Sequence, residues 1–503
     1  MWTRHSGFCP GSRETLLISR EGAGTLPPMS WNYTPAEDLH PFSVPCTWAA
    51  EAVAELEAAD KSALWKPFTQ MAGYVDEQPV IIERGQGNWL RDVRGRAFLD
   101  GVSSLWVNVH GHGHPVIQAR IRRQLEELDH STLLGPTNVA AVELAQRLVD
   151  LAPGSGQLSR VFYSDSGSTS VEIAVKMAFQ FHAQHHQDAA RKRDLFVTMT
   201  NAYHGDTLGS VSVGGIELFH SLYEPLLFKT RQAPAPDPYH RAFGQDPLEH
   251  ERRCLEALKT ILLEERGRVA GLVMEPLVQG AAGMLCHSPG YLAEAAALCR
   301  EEGALLIIDE VATGFGRTGT MFACEQAGVV PDLMCLAKGI TGGVLPLAAT
   351  LATETIYEGF LGDHTAYRTF FHGHSYTGNP LACAAALGSL DVFREEGTLA
   401  RLAPRIDQLS ERLSVIERHP NVGDIRRVGV MTGIELVTDC ATGEPYPAAQ
   451  LVGRQVCGAA LERGVLIRPL GDVVVLMPPL SITEDELDLL CGTVLGCIDE
   501  VCA

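Results

Sequence analysis

The stretch from Ala304 to Gly343, ALLIIDEVATGFGRTGTMFACEQAGVVPDLMCLAKGITGG, constrains the fold of this chain more than any other. Ala304–Ile308 is a short apolar run with the length of a buried parallel strand. It ends in two acids, Asp309 and Glu310. A second short run, Asp332–Ala337, ends in Lys338 and is followed by Gly339 and Gly342–Gly343. The acid and the lysine are 338 − 309 = 29 positions apart, room for one crossover and little more. Ligand sites of open α/β sheets lie at the carboxyl ends of such strands.

A buried acid and a buried lysine at adjacent strand ends suit pyridoxal 5'-phosphate (PLP). The lysine amine forms a Schiff base with the aldehyde. The carboxylate keeps the pyridine nitrogen protonated, so that the ring accepts the electrons of a substrate carbanion. Taken singly, Asp309 reads as a structural strand-end acid and Lys338 as a surface lysine; the pair, in one apolar context with glycines behind the lysine, favours the cofactor. Gly314-Phe315-Gly316-Arg317-Thr318-Gly319 matches G-x-G-x-x-G literally. A dinucleotide loop follows its strand directly and opens a helix. Here Asp309–Thr313 intervene and Thr320-Met321-Phe322 opens no amphipathic helix, so a nicotinamide site is not expected.

IIDEVATGFGRTG followed by LAKGITGG resembles the class III, fold-type I PLP aminotransferases. LWKPFTQM at Leu64, SSLWVNVHGHGHP at Ser103, YSDSGSTSVEIAVKMA at Tyr163, NAYHGDT at Asn201, FFHGHSYTGNPLACAAA at Phe370 and LIRPLG at Leu466 resemble the diaminopelargonic acid aminotransferases of biotin synthesis within that class. The likeness runs from about Ala63 to the C-terminus. It implies Lys338 as the Schiff-base lysine, Asp309 on the pyridine nitrogen and Tyr203 on the ring. It also implies a homodimer in which Gly373-His374-Ser375 reaches the phosphate of the neighbouring subunit's PLP. The implied reaction is transamination of 8-amino-7-oxononanoate to 7,8-diaminononanoate. Phe68, Trp106, Tyr203, Lys338, Gly373 and Arg468 would meet the substrate: Phe68 and Trp106 offer apolar faces, and Arg468 a bidentate site for a carboxylate. S-adenosylmethionine is the donor that the family's usage implies. Lysine is the alternative, because Phe68, His374-Ser375 and Val475 stand where the family usually has Tyr, Pro-Thr and Tyr. Another class III enzyme acting on an ω-amino acid is a further alternative.

The remaining chain agrees with a large soluble enzyme. Its 503 residues supply ample core, and a formal net charge of −21 argues against nucleic acid or an anionic membrane as partner. Thirteen cysteines, an odd number without CxxC spacing, fit a reducing cytoplasm. No uncharged apolar run reaches the about 18 residues that span a membrane. Met1–Asp60 is Pro/Gly-rich and aperiodic up to Pro45 and reads as a mobile extension, with Met29 as one alternative initiator; Trp48–Leu64 has helical spacing.

Pro79–Leu99 reads as a small antiparallel unit turning at Gly85-Gln86-Gly87 and Arg94-Gly95-Arg96. His110, His112 and His114 alternate, but Gly111 and Gly113 make this a loop, no carboxylate or Cys is near in sequence, and no metal site is expected. Helices Pro115–Leu128 and Asn138–Leu151 precede a strand, Arg160–Tyr163, a Ser/Gly turn and a helix, Ser170–Phe181. That order makes Gly167 and Ser168 candidates for a phosphate cradle at a helix N-terminus. Leu195–Met199 is a strand whose carboxyl end leads to Tyr203, an aromatic able to stack on a pyridine. Val269–Glu275 is a strand ending in an acid, before Gln279-Gly280. Alternating strands and helices to about Leu351 give a parallel, doubly wound sheet. Beyond Ala400 short strands are expected at Ile425–Val428, Gly433–Leu436, Val465–Arg468 and Val473–Met477. The expected fold is α/β, with a large PLP domain at Pro115–Leu390 and a small α+β domain from Ala63–His114 together with residues 391–503.

Overall fold

The computed structural model describes residues 32–185, 192–240 and 246–502. Its first sheet begins with an antiparallel meander of β1 (Ile82–Gln86), β2 (Trp89–Asp92) and β3 (Ala97–Asp100). The first turn is displaced from the expected Gly85-Gln86-Gly87. Gln86 pairs with Trp89, so Gly87-Asn88 closes the hairpin, and Gly87 takes φ 56°, as a two-residue hairpin turn requires. Gly85 is needed for another reason: a Cβ there would lie 2.7 Å from the His112 side chain.

The large sheet uses β4 (Leu158–Ser164), β5 (Leu195–Met199), β6 (Thr230–Ala233) and β7 (Val269–Met274). A separate small hairpin, β8 (Val278–Gln279) and β9 (Leu285–Cys286), interrupts it before β10 (Leu305–Asp309), β11 (Leu333–Leu336) and β12 (Ala348–Thr353). The seven strands lie in the order β4-β12-β11-β10-β7-β5-β6. All pairings from β11 to β6 are parallel, and β12 alone runs antiparallel to its neighbours β11 and β4. This is the mostly parallel α/β sheet that the sequence leads one to expect. Apolar layers cover both faces. Leu305 and Ile307 pack with Val171, Ala174 and Ala178 of the helix Gly167–His185, while Leu306 and Ile308 point into the larger core opposite. That two-sided burial is why these strands read as continuous apolar runs.

β10 and β11 are neighbours, with Asp309 level with Cys335. The link between them has no α-helix: a loop leads to a short 3-10 helix, Ala323–Ala327. The G-x-G-x-x-G run therefore opens no helix. Its Phe315 is fully buried, and a Cβ on Gly316 would lie 2.5 Å from Leu480.

The C-terminal part adds β13 (Val422–Val428), β14 (Met431–Asp439), β15 (Glu444–Pro445), β16 (Val465–Leu466), β17 (Arg468–Leu470) and β18 (Val473–Leu476). The order β13-β14-β18-β17 forms a third sheet, with β15 attached to β14. The single strand expected at Val465–Arg468 is two strands in two sheets. Val465 and Leu466 pair parallel with Leu99 and Asp100 of β3, whereas Arg468 pairs with Val475 of β18. Buried Ile467 carries the chain across. Pro469 suits the edge position of β17, where a missing N–H costs no ladder bond.

The expected mobile extension through Asp60 does not hold from residue 32 onward; residues 1–31 lie outside the described residues. Tyr33, Ala36, Leu39 and Phe42 pack against the main core. Tyr33 lies so close to Gly492 that a Cβ there would sit 2.3 Å from the ring. The Arg91 guanidinium stacks 5.0 Å from the Phe42 ring, and the Cys46 thiol donates to the Val93 carbonyl at 3.2 Å. Tyr33, Ala36, Leu39 and Phe42 lie three residues apart, but Pro35 and Pro41 interrupt the run and only Ala36–Leu39 is helical, so the spacing does not read as an element in the sequence. Removing residues 1–45 would expose apolar surface equivalent to roughly two large side chains, about 3–6 kcal/mol. We expect such a truncation to lower the thermal midpoint by about 3–6 °C. An unchanged midpoint in a calorimetric scan would show that these contacts contribute nothing.

Candidate active site

The sheet order places four side-chain positions side by side at its carboxyl edge. Lys338 follows β11, Asp309 ends β10, Glu275 follows β7 and Tyr203 follows β5, and those strands are consecutive neighbours. Asp309 and Glu275 are level, because Ile308 pairs with Met274. The two acids of the DE pair separate as strand alternation requires. Glu310 turns into the crossover loop, where it accepts from the Thr313 hydroxyl and from the Cys324 N–H at 2.8 Å.

Asp309 is buried, 4 % exposed. One oxygen accepts from the Val311 N–H at 3.0 Å, and the other lies 2.7 Å from His204 Nδ1. His204 has no exposed side-chain surface. Burial opposes its positive charge, but the hydrogen bond to Asp309 and the charges of Asp309 and Glu275 outweigh it and raise its pKa. His204 Nε2 has no hydrogen-bond partner among the described residues. Sequence reasoning missed this residue; its only signal was its place directly after the strand-end aromatic Tyr203.

Glu275 accepts from two backbone N–H groups, Tyr203 at 3.2 Å on one oxygen and Gly280 at 3.0 Å on the other. Burial raises its pKa to about 7, with His204 pulling down and Asp309 pushing up. Lys338 takes φ 46°, a left-handed conformation that is costly for a residue with a side chain and is found where the surrounding structure over-determines it. Its amine lies 5.0 Å from the centre of the Trp106 ring. Burial lowers its pKa, against the opposing pull of Asp309 and Glu275.

Trp106 sits at the end of a strained turn in which Ser103, Ser104 and Trp106 all have positive φ. Asp100 holds the turn by accepting from the Ser104 N–H at 2.7 Å and hydroxyl at 2.9 Å. Arg317, from the G-x-G-x-x-G run, reaches in from the other side. Its fully buried guanidinium donates to Ser103 Oγ at 3.0 Å, the Asn108 carbonyl at 2.8 Å and the Pro478 carbonyl at 2.8 Å. Burial lowers its pKa to about 9. The three alternate histidines behind this turn diverge onto different partners. His110 Nε2 is 3.1 Å from Ser389 Oγ, His112 Nε2 is 2.9 Å from Asp100, and His114 Nε2 is 3.0 Å from Glu396. The carboxylates missing nearby in sequence are thus supplied by β3 and by the end of a distant helix.

Gly167 opens a long helix, three residues earlier than the expected start at Ser170. Its N–H and that of Ser168 take no partner among the described residues, as the first turn of a helix leaves them. The Ser168 hydroxyl accepts from the Thr207 N–H at 2.9 Å, and Gly205, φ 115°, passes so close that a Cβ would lie 2.4 Å from Ser168. Phe68, 63 % exposed, reaches the site through a ring contact: it meets Phe219 edge-on at 5.7 Å, and Phe219 meets Tyr203 edge-on at 6.3 Å. Arg468, Gly373, His374 and Ser375 are exposed and make no hydrogen bond, ion pair or ring contact with Lys338, Asp309, Tyr203 or Trp106 among the described residues.

These residues fit PLP: a half-buried amine, a buried carboxylate held beside a histidine, an aromatic two strands along the same edge, and two N–H groups at a helix N-terminus, unpartnered among the described residues, for a phosphate. The comparisons with known proteins agree. The Aminotransferase class-III family model matches residues 71–498. The adenosylmethionine-8-amino-7-oxononanoate aminotransferase of Nitratidesulfovibrio vulgaris is 55% identical over 454 residues, 90% of this chain and 83% of that protein. The crystal structure of the enzyme of the same name from Methanocaldococcus jannaschii superposes with a TM-score of 0.83 at 42% identity, covering 89% of this chain and 99% of the other. An omega transaminase from Pseudomonas jessenii in complex with PMP gives a TM-score of 0.84 at 29% identity, covering 89% and 98%. With strand-end lysine and acid neighbours in the sheet and a family match over most of its length, the chain belongs to the class III aminotransferases.

Proposed function

We propose that this PLP-dependent aminotransferase converts 8-amino-7-oxononanoate to 7,8-diaminononanoate, the biotin-pathway reaction, with S-adenosylmethionine as amino donor. The observation that carries the chemistry is the row Lys338–Asp309–Glu275–Tyr203 along one sheet edge, with Trp106 over the lysine amine. The names of relatives at 55%, 50% and 48% identity support the substrate. Bound PLP supplies an electron sink for the substrate carbanion. Lys338 would hold it through its amine and would move the proton at the substrate carbon as general base and acid. Burial, which lowers the Lys338 pKa, helps to free the neutral amine that this role needs. Asp309 would meet the pyridine nitrogen, and His204 holds Asp309 in place. Gly167 and Ser168 offer N–H groups to the phosphate. Trp106, Phe68 and Tyr203 supply apolar faces to the aliphatic acceptor, and Arg468 takes its carboxylate.

A homodimer completes this reading. Trp65, Phe371 and Tyr376 are exposed by 89 %, 72 % and 64 % on one chain and would be covered by a second copy. Gly373, His374 and Ser375, exposed between Phe371 and Tyr376, would serve the partner's phosphate. The fold would then divide into a large domain at 115–390 and a small domain from 63–114 and 391–503, with β16 joining the two parts of the latter. The acidic charge and scattered thiols suit the cytoplasm.

Lysine as donor is the second reading. Phe68 lacks a hydroxyl, and Val475, directly opposite Arg468 and 1 % exposed, offers no polar handle to an adenosyl group. Each polar atom buried unpaired costs about 1–3 kcal/mol. Single-turnover conversion of the PLP form to PMP separates the donors: S-adenosylmethionine should react, and the first reading fails if only lysine does. If neither donor nor 7,8-diaminononanoate changes the visible band, the biotin assignment falls.

Lys338→Ala should remove the visible band and lower turnover by about 10²–10⁴-fold or more, while gel filtration still shows the wild-type oligomer. Appreciable turnover would end the assignment. Asp309→Asn should slow the chemical step about 10- to 100-fold, the worth of one charge-assisted hydrogen bond, with a much smaller change in KM. A change in KM alone would make Asp309 structural.

A further inference from the structure

Glu275 has no part in the roles assigned above, yet it stands between Asp309 and Tyr203 on the central strand of the site. We propose that Glu275 is a positioning residue that ties the two walls of the substrate cavity together, the Tyr203 segment on one side and the Gly280 wall facing Trp106 on the other. The inference rests on the PLP site assigned to Lys338 and Asp309.

The geometry is specific to a carboxylate. Tyr203 N–H donates to one oxygen of Glu275 and Gly280 N–H to the other. A glutamine of the same shape has one oxygen and one NH₂, so one of the two N–H groups would face a donor. Both tethered segments are ones that backbone preference alone would not hold. The Tyr203 segment leaves β5 through Asn201 at φ 63°. The Gly280 hairpin is entered at Leu277, φ 64°, and turns back at Met284, φ 59°, both buried. At Gly280 the backbone approaches the indole so closely that a Cβ would lie 3.1 Å from Trp106. The hairpin is gripped from its far side as well, since Arg426 donates twice to the Gly283 carbonyl, at 3.0 and 2.9 Å. With the hairpin clamped from both sides, Trp106 is held against Gly280 on one side and beneath the Lys338 amine on the other. Tyr203, Trp106 and Lys338 are thereby set at fixed spacing through Glu275.

The test compares holoenzyme carrying Glu275→Gln or Gly280→Ala with wild type. Glu275→Gln preserves volume, so a merely space-filling side chain would tolerate it. If Glu275 positions the walls, Glu275→Gln should raise KM for the acceptor about tenfold, the loss expected for one charge-assisted hydrogen bond, and should alter the visible circular dichroism of the bound cofactor at an unchanged absorption maximum. Glu275→Asp, which keeps both oxygens, should recover part of that loss. Wild-type KM and dichroism in Glu275→Gln would overturn the proposal. Where Glu275→Gln does not fold, Gly280→Ala decides. A Cβ pushing on Trp106 should raise KM severalfold with kcat nearly unchanged, and an unaltered KM would falsify the coupling. The visible band in wild type, abolished in Lys338→Ala, reports the cofactor site itself, so failure of that assignment is read separately from failure of the role of Glu275.

Discussion

Charge held within apolar surroundings is the constraint on which the rest of the structure depends. Asp309 sits at the end of a strand whose other residues are all buried. An isolated carboxylate would take up a proton in such a place. Asp309 is not isolated: His204 meets it at 2.7 Å, and the Val311 N–H adds a second donor. The arrangement is expensive to disturb, because removing either partner leaves the other as an uncompensated charge in the interior. The neighbouring carboxylate of Glu275 has no such cation in direct contact among the described residues, and burial raises its proton affinity.

The second constraint is backbone strain, and it is met by hydrogen bonds from outside the strained segments. Ser103–Trp106 carries three left-handed residues in four positions. Asp100 grips this turn from the β3 side and Arg317 from the crossover loop. A buried guanidinium without an ion pair among the described residues is unusual. Three carbonyl and hydroxyl acceptors around Arg317 satisfy much of its donor capacity, and burial without a paired anion leaves its pKa depressed to about 9. The literal nucleotide-loop motif is thus a knot that holds Trp106 in place.

Much of the fold was legible because buried parallel strands declare themselves as short apolar runs with chemistry at their ends. LLIID and the run before Lys338 did so, and their adjacency followed from the short distance between them. What escaped were features decided by tertiary contact. His204 has no period to betray it, and only its contact with Asp309 from another strand gives it meaning. The hairpin turn moved because Gly85 is reserved for His112 and Gly87 for the left-handed corner. Val465–Arg468 read as one strand because the local pattern cannot show that its two ends belong to different sheets. Tyr33 to Phe42 looked featureless because Pro35 and Pro41 break the run, leaving a single short helical turn, Ala36–Leu39, to carry contacts that recur every three residues.

The transfer of the chain between sheets at Ile467 bears on how the protein is made. β3 emerges early during synthesis, but its outer neighbour, β16, belongs to the last tenth of the chain. Asn88 and Trp89 wait equally long for Glu486, the carboxylate that binds both side chains at 2.7 Å across 398 and 397 positions. Until the ribosome has delivered that distant segment, the N-terminal meander has an unpaired edge and an indole N–H without its acceptor. Exposed edges of this kind template association with other chains. The nascent enzyme therefore passes most of its translation with an open strand, and the interval before the C-terminus arrives is when a chaperone would matter to its yield.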